Sequence, residues 1–309
     1  MVLATRLERA PRSYLYVPAT STEKLAKVLT KGADAVIVDL EDGVAPGRKD
    51  EARELASAWV ASVDPELLAG TEIWVRVNSG AQGEIDLAAL PLDRLRGVCV
   101  PKVHGPANLE PVRQQLLHRL AAHEPPLPSS PRLMPLIETA EGVLRAEEIA
   151  RSDGVERMQL GEVDLGAELG AENGHGDIAF LLARLQLVLV SAAAKIGPPV
   201  GPVGLDLAKM DDFRTSSELL KQLGYRSRAC IHPAQVVIAN SVFLPSSEEL
   251  SRARALTEAF DQALSQGAGA VRDATGKMVD EAVVRHARRL LEGTGDVAGS
   301  SGPGESQDK

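Results

Sequence analysis

Only two cysteines occur in the 309 residues, Cys99 and Cys230. Both fall inside apolar runs, so they read as small buried hydrophobes in a reducing compartment rather than as a disulfide or a nucleophile. No apolar stretch approaches the length needed to span a bilayer. The start, Met1-Val2-Leu3-Ala4-Thr5-Arg6, lacks the apolar centre of a secretion signal. Positive charge is not in excess either: the formal net charge is -9. That argues against a nonspecific nucleic-acid footprint, while leaving room for a local basic patch that takes a phosphorylated ligand. A Rossmann glycine fingerprint, a Walker loop, a Gly-x-Ser-x-Gly elbow and zinc-type Cys/His spacing are all missing, and the glycine-rich segment 170–176 matches none of them. The expectation left standing is a cytoplasmic, soluble protein whose chemistry is carried by carboxylates, arginine and lysine.

What the chain does have is a series of short apolar runs that end in charge. Ala35-Val36-Ile37-Val38 leads into Asp39-Leu40-Glu41-Asp42, and Ile73-Trp74-Val75 into Arg76. Val98-Cys99-Val100-Pro101 leads into Lys102, Leu133-Met134-Pro135-Leu136-Ile137 into Glu138, Met158-Gln159-Leu160-Gly161 towards Asp164, and Ala229-Cys230-Ile231 into His232. Continuous apolar runs of this length read as strands covered on both faces, as in a parallel sheet. Eight strands are expected, over 14–17, 35–40, 72–78, 98–103, 132–138, 158–163, 201–207 and 229–231. Helix-like sequence fills the gaps at 21–30, 48–62, 108–123, 141–152, 177–196 and 210–223. The third gap, 81–96, is short and only marginally helical, and the seventh strand is rich in Gly and Pro. Strand–helix alternation repeated eight times closes most naturally into a (β/α)8 TIM barrel, with functional groups at the strand ends. With 44% hydrophobic residues, the length supports one large α/β domain. The barrel is expected over 1–245. A C-terminal extension of helix (247–266), hairpin or ordered loop around Thr275-Gly276 and helix (281–291) is expected over 246–292, either packing on the barrel or acting as a lid over a site, its own or a neighbouring subunit's. A Gly/Ser/Asp-rich tail at 293–309 is expected to be disordered.

Among the strand-end groups, Glu138 and Asp164 form the best metal pair. Two carboxylates without a Cys or His partner suit a hard, oxygen-preferring cation such as Mg2+. The alternative is that each caps the following helix or pairs with a rim arginine. Arg76 matches a substrate carboxylate or a developing oxyanion, or else it serves as a structural partner for Glu41 or Asp42. Asp39, Glu41 and Asp42 would repel one another unless some of them face Arg76, Arg12 or Lys102. Of the three, Glu41 points into the site, while Asp39 and Asp42 serve caps and loop hydrogen bonds. Lys102 binds a phosphate or carboxylate, or forms a rim ion pair. His232 is a general base or, more in keeping with the Pro233 that follows, a structural imidazole. His175 lies in a Gly-flanked loop with nothing specific behind it.

Taken in order, Arg12-Ser13-Tyr14-Leu15-Tyr16-Val17-Pro18, Val38-Asp39-Leu40-Glu41-Asp42-Gly43-Val44, Val75-Arg76-Val77-Asn78, Val100-Pro101-Lys102, Leu136-Ile137-Glu138-Thr139-Ala140, Gly161-Glu162-Val163-Asp164-Leu165 and Cys230-Ile231-His232-Pro233-Ala234-Gln235 make the chain resemble the citrate lyase beta subunit-like branch of the HpcH/HpaI aldolase family over roughly residues 12–292. The resemblance implies a TIM barrel, usually a trimer or hexamer, that breaks or forms a carbon–carbon bond next to a thioester. It implies Glu138 and Asp164 as Mg2+ ligands and Arg76 as the holder of the acyl group. Glu41 then supports the arginine, and Lys102 and Arg12 join Arg76 and Glu138 as substrate contacts. Gly276-Lys277-Met278-Val279-Asp280 resembles the segment from which CoA-ester lyases lend a catalytic aspartate to a neighbouring subunit, making Asp280 an acid/base in trans. Without the family, Asp280 would read as the N-cap of the last helix.

The implied reaction is Mg2+-dependent cleavage or formation of a 3-hydroxyacyl-CoA such as malyl-, citramalyl- or citryl-CoA. Its rivals are a thioesterase on the same esters, a free-acid 2-oxo-acid aldolase, and a carrier-dependent or non-catalytic citrate lyase-like subunit. The aldolase type typically has a histidine soon after the acidic motif, and none follows Leu40-Glu41-Asp42-Gly43-Val44 here. Two departures from the family pattern, Ala19-Thr20-Ser21 after Pro18 and Val163 before Asp164, bear on the substrate rather than on the fold.

Overall fold

A computed structural model describes residues 10–64, 66, 70–123, 130–171, 178–273 and 276–292. They form two compact units, Pro11–Phe243 and a C-terminal unit from Leu244 onward. His175 and the tail 293–309 lie outside the described residues.

The first unit is a closed barrel of eight parallel strands in sequential order: β1 (Ser13–Pro18), β2 (Ala35–Asp39), β3 (Glu72–Arg76), β4 (Gly97–Val100), β5 (Arg132–Ile137), β6 (Gln159–Leu160), β7 (Val200–Gly201) and β8 (Ser227–Cys230). The expected (β/α)8 architecture is therefore the one observed. Period-two alternation splits the apolar residues between two cores. Tyr14, Ala35, Ile37, Trp74, Cys99, Met134, Val200 and Ala229 fill the barrel interior. Leu15, Val17, Val36, Val38, Ile73, Val75, Val98, Leu133 and Ile137 pack outward with the surrounding helices. Both cysteines are free and buried, and burial pushes the Cys230 thiol up to about 12, so neither is a nucleophile.

Three elements differ from the sequence expectation. The sixth strand stops at Leu160, and helix α7 (Glu162–Leu169) starts where the strand was expected to continue; the helices before it are α1 (Thr22–Val28), α2 (Lys49–Ser62), α3 (Gly80–Ala89), α4 (Glu110–Ala121), α5 (Ala140–Leu144) and α6 (Ala146–Ala150). Glu162 and Asp164 in its first turn favour a helix start through the backbone dipole. The seventh strand is only Val200–Gly201, because Pro202 has no N–H to continue a ladder. The weak third gap does fold as α3, tied down by buried Asp86, which accepts from the Asn78 backbone N–H (2.8 Å) and from Arg53 Nε (2.9 Å). Helices α8 (Ile178–Ala194), α9 (Met210–Leu223) and α10 (Pro233–Val242) complete the unit. Among the described residues, no helix is long and apolar enough to cross a membrane.

The C-terminal unit contains α11 (Ser247–Ser265), the antiparallel pair β9 (Val271–Arg272) and β10 (Met278–Val279), and α12 (Glu281–Glu292). A capping box starts α11: Ser246 Oγ accepts from Glu249 N while Glu249 reaches back to Ser246 N. Phe260, Val279 and Val284 form its own small core, with Leu256 and Val271 against it.

Candidate active site

Alternation that buries Ala35 and Ile37 in the barrel interior carries Asp39 inward at the C-terminal end of β2. The same rule carries Arg76 inward after Trp74, and the β2–β3 register sets Asp39 opposite Arg76. The consequence is a two-pronged ion pair: Arg76 Nε and Nη2 donate to Asp39 Oδ1 and Oδ2, both at 2.7 Å. Arg76 Nη1 lies 2.9 Å from Glu41 Oε2 and 3.8 Å from Asp42 Oδ2. The guanidinium also sits over the Tyr16 ring, 5.2 Å from its centroid, and Tyr16 Oη donates to Gln159 Oε1 at 3.0 Å. Burial works against the charge on Arg76, yet Asp39, Tyr16 and Glu41 together outweigh it and raise the arginine's pKa. Sequence reasoning assigned Asp39 to loop hydrogen bonds, and it does accept from the Glu41 and Gly43 N–H groups, both at 2.9 Å. What it missed is that Asp39, ahead of Glu41, is the principal partner of Arg76. The period-two pattern Ala35, Ile37, Asp39 was the available signal.

Glu41 is buried at 6% exposure. Burial raises its carboxyl pKa against the pull of Arg76. Asp42 is largely exposed, with 57% of its side chain open, and stands at the margin. Lys49 Nζ donates to the carbonyls of Leu40 (2.8 Å) and Glu41 (2.6 Å), pinning this loop from outside.

Glu138 follows β5 and is 4% exposed. Its Oε1 accepts from the Lys102 N–H at 2.6 Å. The other oxygen lies over Gly161, where an added Cβ would come within 2.8 Å of Oε2 and 2.6 Å of the Glu138 Cβ, so position 161 tolerates no side chain. Burial pushes the Glu138 carboxyl up to about 8, and the nearby Asp164 and Glu41 charges push the same way. Asp164 is half-buried and reaches this place from the first turn of α7 rather than from a strand end. Its neighbour Glu162 is gripped by Arg184 at 2.5 and 2.6 Å, so Asp164 is the carboxylate of this helix turn whose charge acts on Glu138.

Lys102 adopts φ 52°, a left-handed conformation uncommon for a residue with a side chain and typical of functional turns. That turn aims its N–H at Glu138 and sets its Nζ 3.5 Å from Glu41 Oε1. Glu41, then Asp42, raise the lysine's pKa, and Asp164 and Glu138 contribute as well. A further side chain that sequence reasoning passed over, His104, has Nδ1 3.1 Å from Thr139 Oγ1, next to Glu138.

Arg12 and His232 have other partners within the barrel unit, and Asp280 lies in the C-terminal unit. Arg12 precedes β1 and pairs with Asp34, just before β2, through Nε–Oδ2 at 2.7 Å and Nη2–Oδ1 at 2.9 Å. Both lie at the N-terminal ends of their strands, the rim opposite to Arg76 and Glu138, so the expectation of Arg12 as a substrate contact is corrected here. His232 is the N-cap of α10, where its Nδ1 accepts from Ala234 N at 3.1 Å; this is the structural reading. Asp280 belongs to the C-terminal unit, is exposed, and caps α12 through Oδ1 to Val283 N at 3.1 Å.

The donor set fits Mg2+. A buried carboxyl whose ionisation is opposed by burial and by two neighbouring carboxylates is relieved by a divalent cation, and Glu138 and Asp164 offer only oxygen. Among the described residues, no cluster of three or more His, Cys, Asp or Glu side chains is arranged as a metal cage. Two protein carboxylates with remaining positions open to water or substrate is the usual habit of Mg2+.

The family model of HpcH/HpaI aldolase/citrate lyase matches residues 12–233. A citrate lyase subunit beta-like protein of Deinococcus radiodurans is 35% identical over 290 residues, covering 91% of this chain and 96% of that protein. A (3S)-malyl-CoA thioesterase of Cereibacter sphaeroides is likewise 35% identical, over 91% of this chain and 93% of its own. The crystal structure of the protein CitE from Mycobacterium tuberculosis in complex with magnesium, acetoacetate and coenzyme A superposes with a TM-score of 0.73 at 28% identity, over 93% of this chain and 98% of that one. With the barrel, the carboxylate pair and the arginine in hand, these matches establish that the chain belongs to the HpcH/HpaI aldolase/citrate lyase family, in its citrate lyase beta subunit-like branch.

Proposed function

We propose that the protein is a Mg2+-dependent carbon–carbon lyase that cleaves or forms a 3-hydroxyacyl-CoA thioester of the malyl-, citramalyl- or citryl-CoA type. The observation that carries this reading is the juxtaposition of a cation-demanding carboxylate pair, Glu138 and Asp164, with a pre-oriented guanidinium, Arg76. Support comes from the human mitochondrial citramalyl-CoA lyase, 29% identical over 91% of this chain and 84% of that protein, and from the magnesium and coenzyme A in the Mycobacterium tuberculosis structure.

Glu138 and Asp164 would hold the ion, with the Lys102 N–H fixing one Glu138 oxygen. When bound, Mg2+ supplies Lewis-acid polarisation of the hydroxyl or carbonyl oxygen at the cleaved centre. In the cleavage direction the substrate hydroxyl gives its proton to Asp280 of a neighbouring copy, and its carbon becomes a carbonyl. The bond to the thioester α-carbon breaks, and its electron pair moves into the thioester enolate. Arg76 donates to the enolate oxygen: Asp39 takes two of its five N–H groups, Glu41 Oε2 lies 2.9 Å from Nη1, and the remaining N–H groups are left for a ligand. Glu41 orients that arginine. Asp280, from a neighbouring copy, returns a proton to the α-carbon. Lys102 Nζ offers a second cation to a substrate carboxylate.

This scheme requires a homo-oligomer, for which the family resemblance implies a trimer or hexamer. Helix α8 supports one: Leu182 and Leu189 stand 76% and 68% exposed on the same helix as Leu185, an apolar surface of the kind that partners cover. A cytoplasmic setting fits two free, buried thiols.

A second reading, thioester hydrolysis in the same site, is favoured by the 35% identity to a malyl-CoA thioesterase. Incubation of the purified protein with malyl-, citramalyl- and citryl-CoA plus Mg2+, with products identified by mass spectrometry, separates the readings. A shorter acyl-CoA plus a 2-oxo or aldehyde acid marks the lyase; free CoA plus the intact hydroxy acid marks the thioesterase. Turnover that survives EDTA and Asp164→Asn refutes the metal assignment. No turnover of any ester, with no binding of Mg2+ or CoA ester by calorimetry, points to the carrier-dependent or non-catalytic subunit.

A further inference from the structure

The geometry points to Asp39 as the positioning residue that gives Arg76 its working orientation, a role resting on the reading of Arg76 as the acyl-group clamp. Arginine is a long side chain, and a guanidinium free to rotate at a barrel mouth presents its N–H groups in many directions. Here one edge of the guanidinium, Nε and Nη2, is locked on the two Asp39 oxygens at 2.7 Å each. A lock on that edge leaves the outward hydrogens of Nη1 and Nη2, with Glu41 Oε2 standing 2.9 Å from Nη1. Rotation about the last side-chain bonds is stopped, and the face of the plane is backed by the Tyr16 ring.

Asp39 is itself immobile, and the reasons are on adjacent pieces of backbone. It is 3% exposed. Each of its oxygens takes one Arg76 hydrogen and one loop N–H: Oδ1 from Glu41 and Oδ2 from Gly43. The second of these bonds depends on position 43 having no side chain, because a Cβ there would stand 2.4 Å from Asp39 Oδ2. The end of β2, the turn at 41–43 and the end of β3 are thus coupled through one carboxylate. A charge partner alone would not need this: Glu41 already neutralises Arg76 at 2.9 Å. What Asp39 adds is direction.

Removing the partner of a buried ion leaves the other charge uncompensated, so Asp39→Asn reports on folding as well as on positioning. Gly43→Ala avoids this by displacing Asp39 Oδ2 without changing any charge. The test is a cycle of Asp39→Asn, Arg76→Ala and the double variant, with Gly43→Ala beside it, measured as kcat and KM for citramalyl-CoA cleavage and as Mg2+ affinity by calorimetry. The expected result is a loss of about 10–100-fold in kcat/KM for Asp39→Asn and for Gly43→Ala, the usual range for removing the support of a site residue. Mg2+ affinity stays unchanged, since Asp39 does not touch Glu138 or Asp164. In the Arg76→Ala background, Asp39→Asn costs nothing further, because a residue that acts only through Arg76 has nothing left to act on. A full additional loss in that background overturns the proposal and assigns Asp39 a purely structural or independent role. Wild-type kcat/KM in Gly43→Ala or in folded Asp39→Asn overturns it as well. If Asp39→Asn fails to fold, Gly43→Ala decides. Full activity of Arg76→Ala refutes instead the underlying reading of Arg76, and is distinguishable because it appears in the single arginine variant.

Discussion

Glu138→Gln in the metal-free protein offers a sharp test of the carboxylate pair, because burial makes this residue costly to the fold when no cation is present. The folded-state carboxyl titrates at about 8, against an ordinary value of about 4.5. Below pH ~4.5 the group is protonated in both states and contributes no difference. As pH rises the unfolded chain ionises while the folded one resists, so stability falls, and the whole penalty is present above pH ~8. At pH 7 roughly 2.5 pH units of that gap are in play, or about 3 kcal/mol at 1.36 kcal/mol per unit. Glutamine keeps the oxygen that accepts from Lys102 N and removes the ionisation. In EDTA, Glu138→Gln should therefore be more stable than wild type by about 3 kcal/mol at pH 7, or about 6 °C in thermal midpoint for a chain of this size. The gap should vanish near pH 4.5 and grow to pH 8. Mg2+ should reverse the order by stabilising wild type and leaving the variant unmoved. Urea unfolding at several pH values, with and without Mg2+, measures this. Equal or lower stability of the variant at pH 8, or a difference that does not depend on pH, would refute the burial argument.

The remaining expectations are simpler. Asp280→Asn should cut turnover at least 100-fold while leaving stability almost unchanged, because Asn caps a helix about as well as Asp. Mixed oligomers of Asp280→Asn and Arg76→Ala should regain activity if Asp280 serves a neighbouring subunit, and inactive mixtures would show that it does not. Arg12→Ala should lower stability by about 1 kcal/mol, for a partly exposed pair, and leave kcat/KM unchanged. A loss of kcat/KM would return Arg12 to the site.

Strand-and-helix alternation was legible because it is local. Runs such as 35–40 and 132–138 announce strands by composition alone, and the family motifs within them point to Arg76, Glu138 and Asp164. The errors also have physical causes. The expected strand 158–163 ended early because Gly161 and the acidic pair Glu162 and Asp164 favour a helix start, which local hydrophobicity does not weigh. Arg12 was misplaced because proximity in sequence to β1 does not say which end of the barrel a side chain occupies; Asp34 claimed it at the far rim.

From sequence alone come a (β/α)8 barrel, a family, and the identity of the charged groups at strand ends, since apolar period and motif spacing are properties of the chain in one dimension. Pairing is not such a property. Only the closed barrel decided that Arg76 belongs first to Asp39, that Glu162 is spent on Arg184 while the charge of Asp164 acts on Glu138, and that Glu138 is buried deeply enough to hold its proton up to about 8. Those outcomes depend on strand register and on the loss of water around each carboxylate, which exist only once distant segments have been brought together.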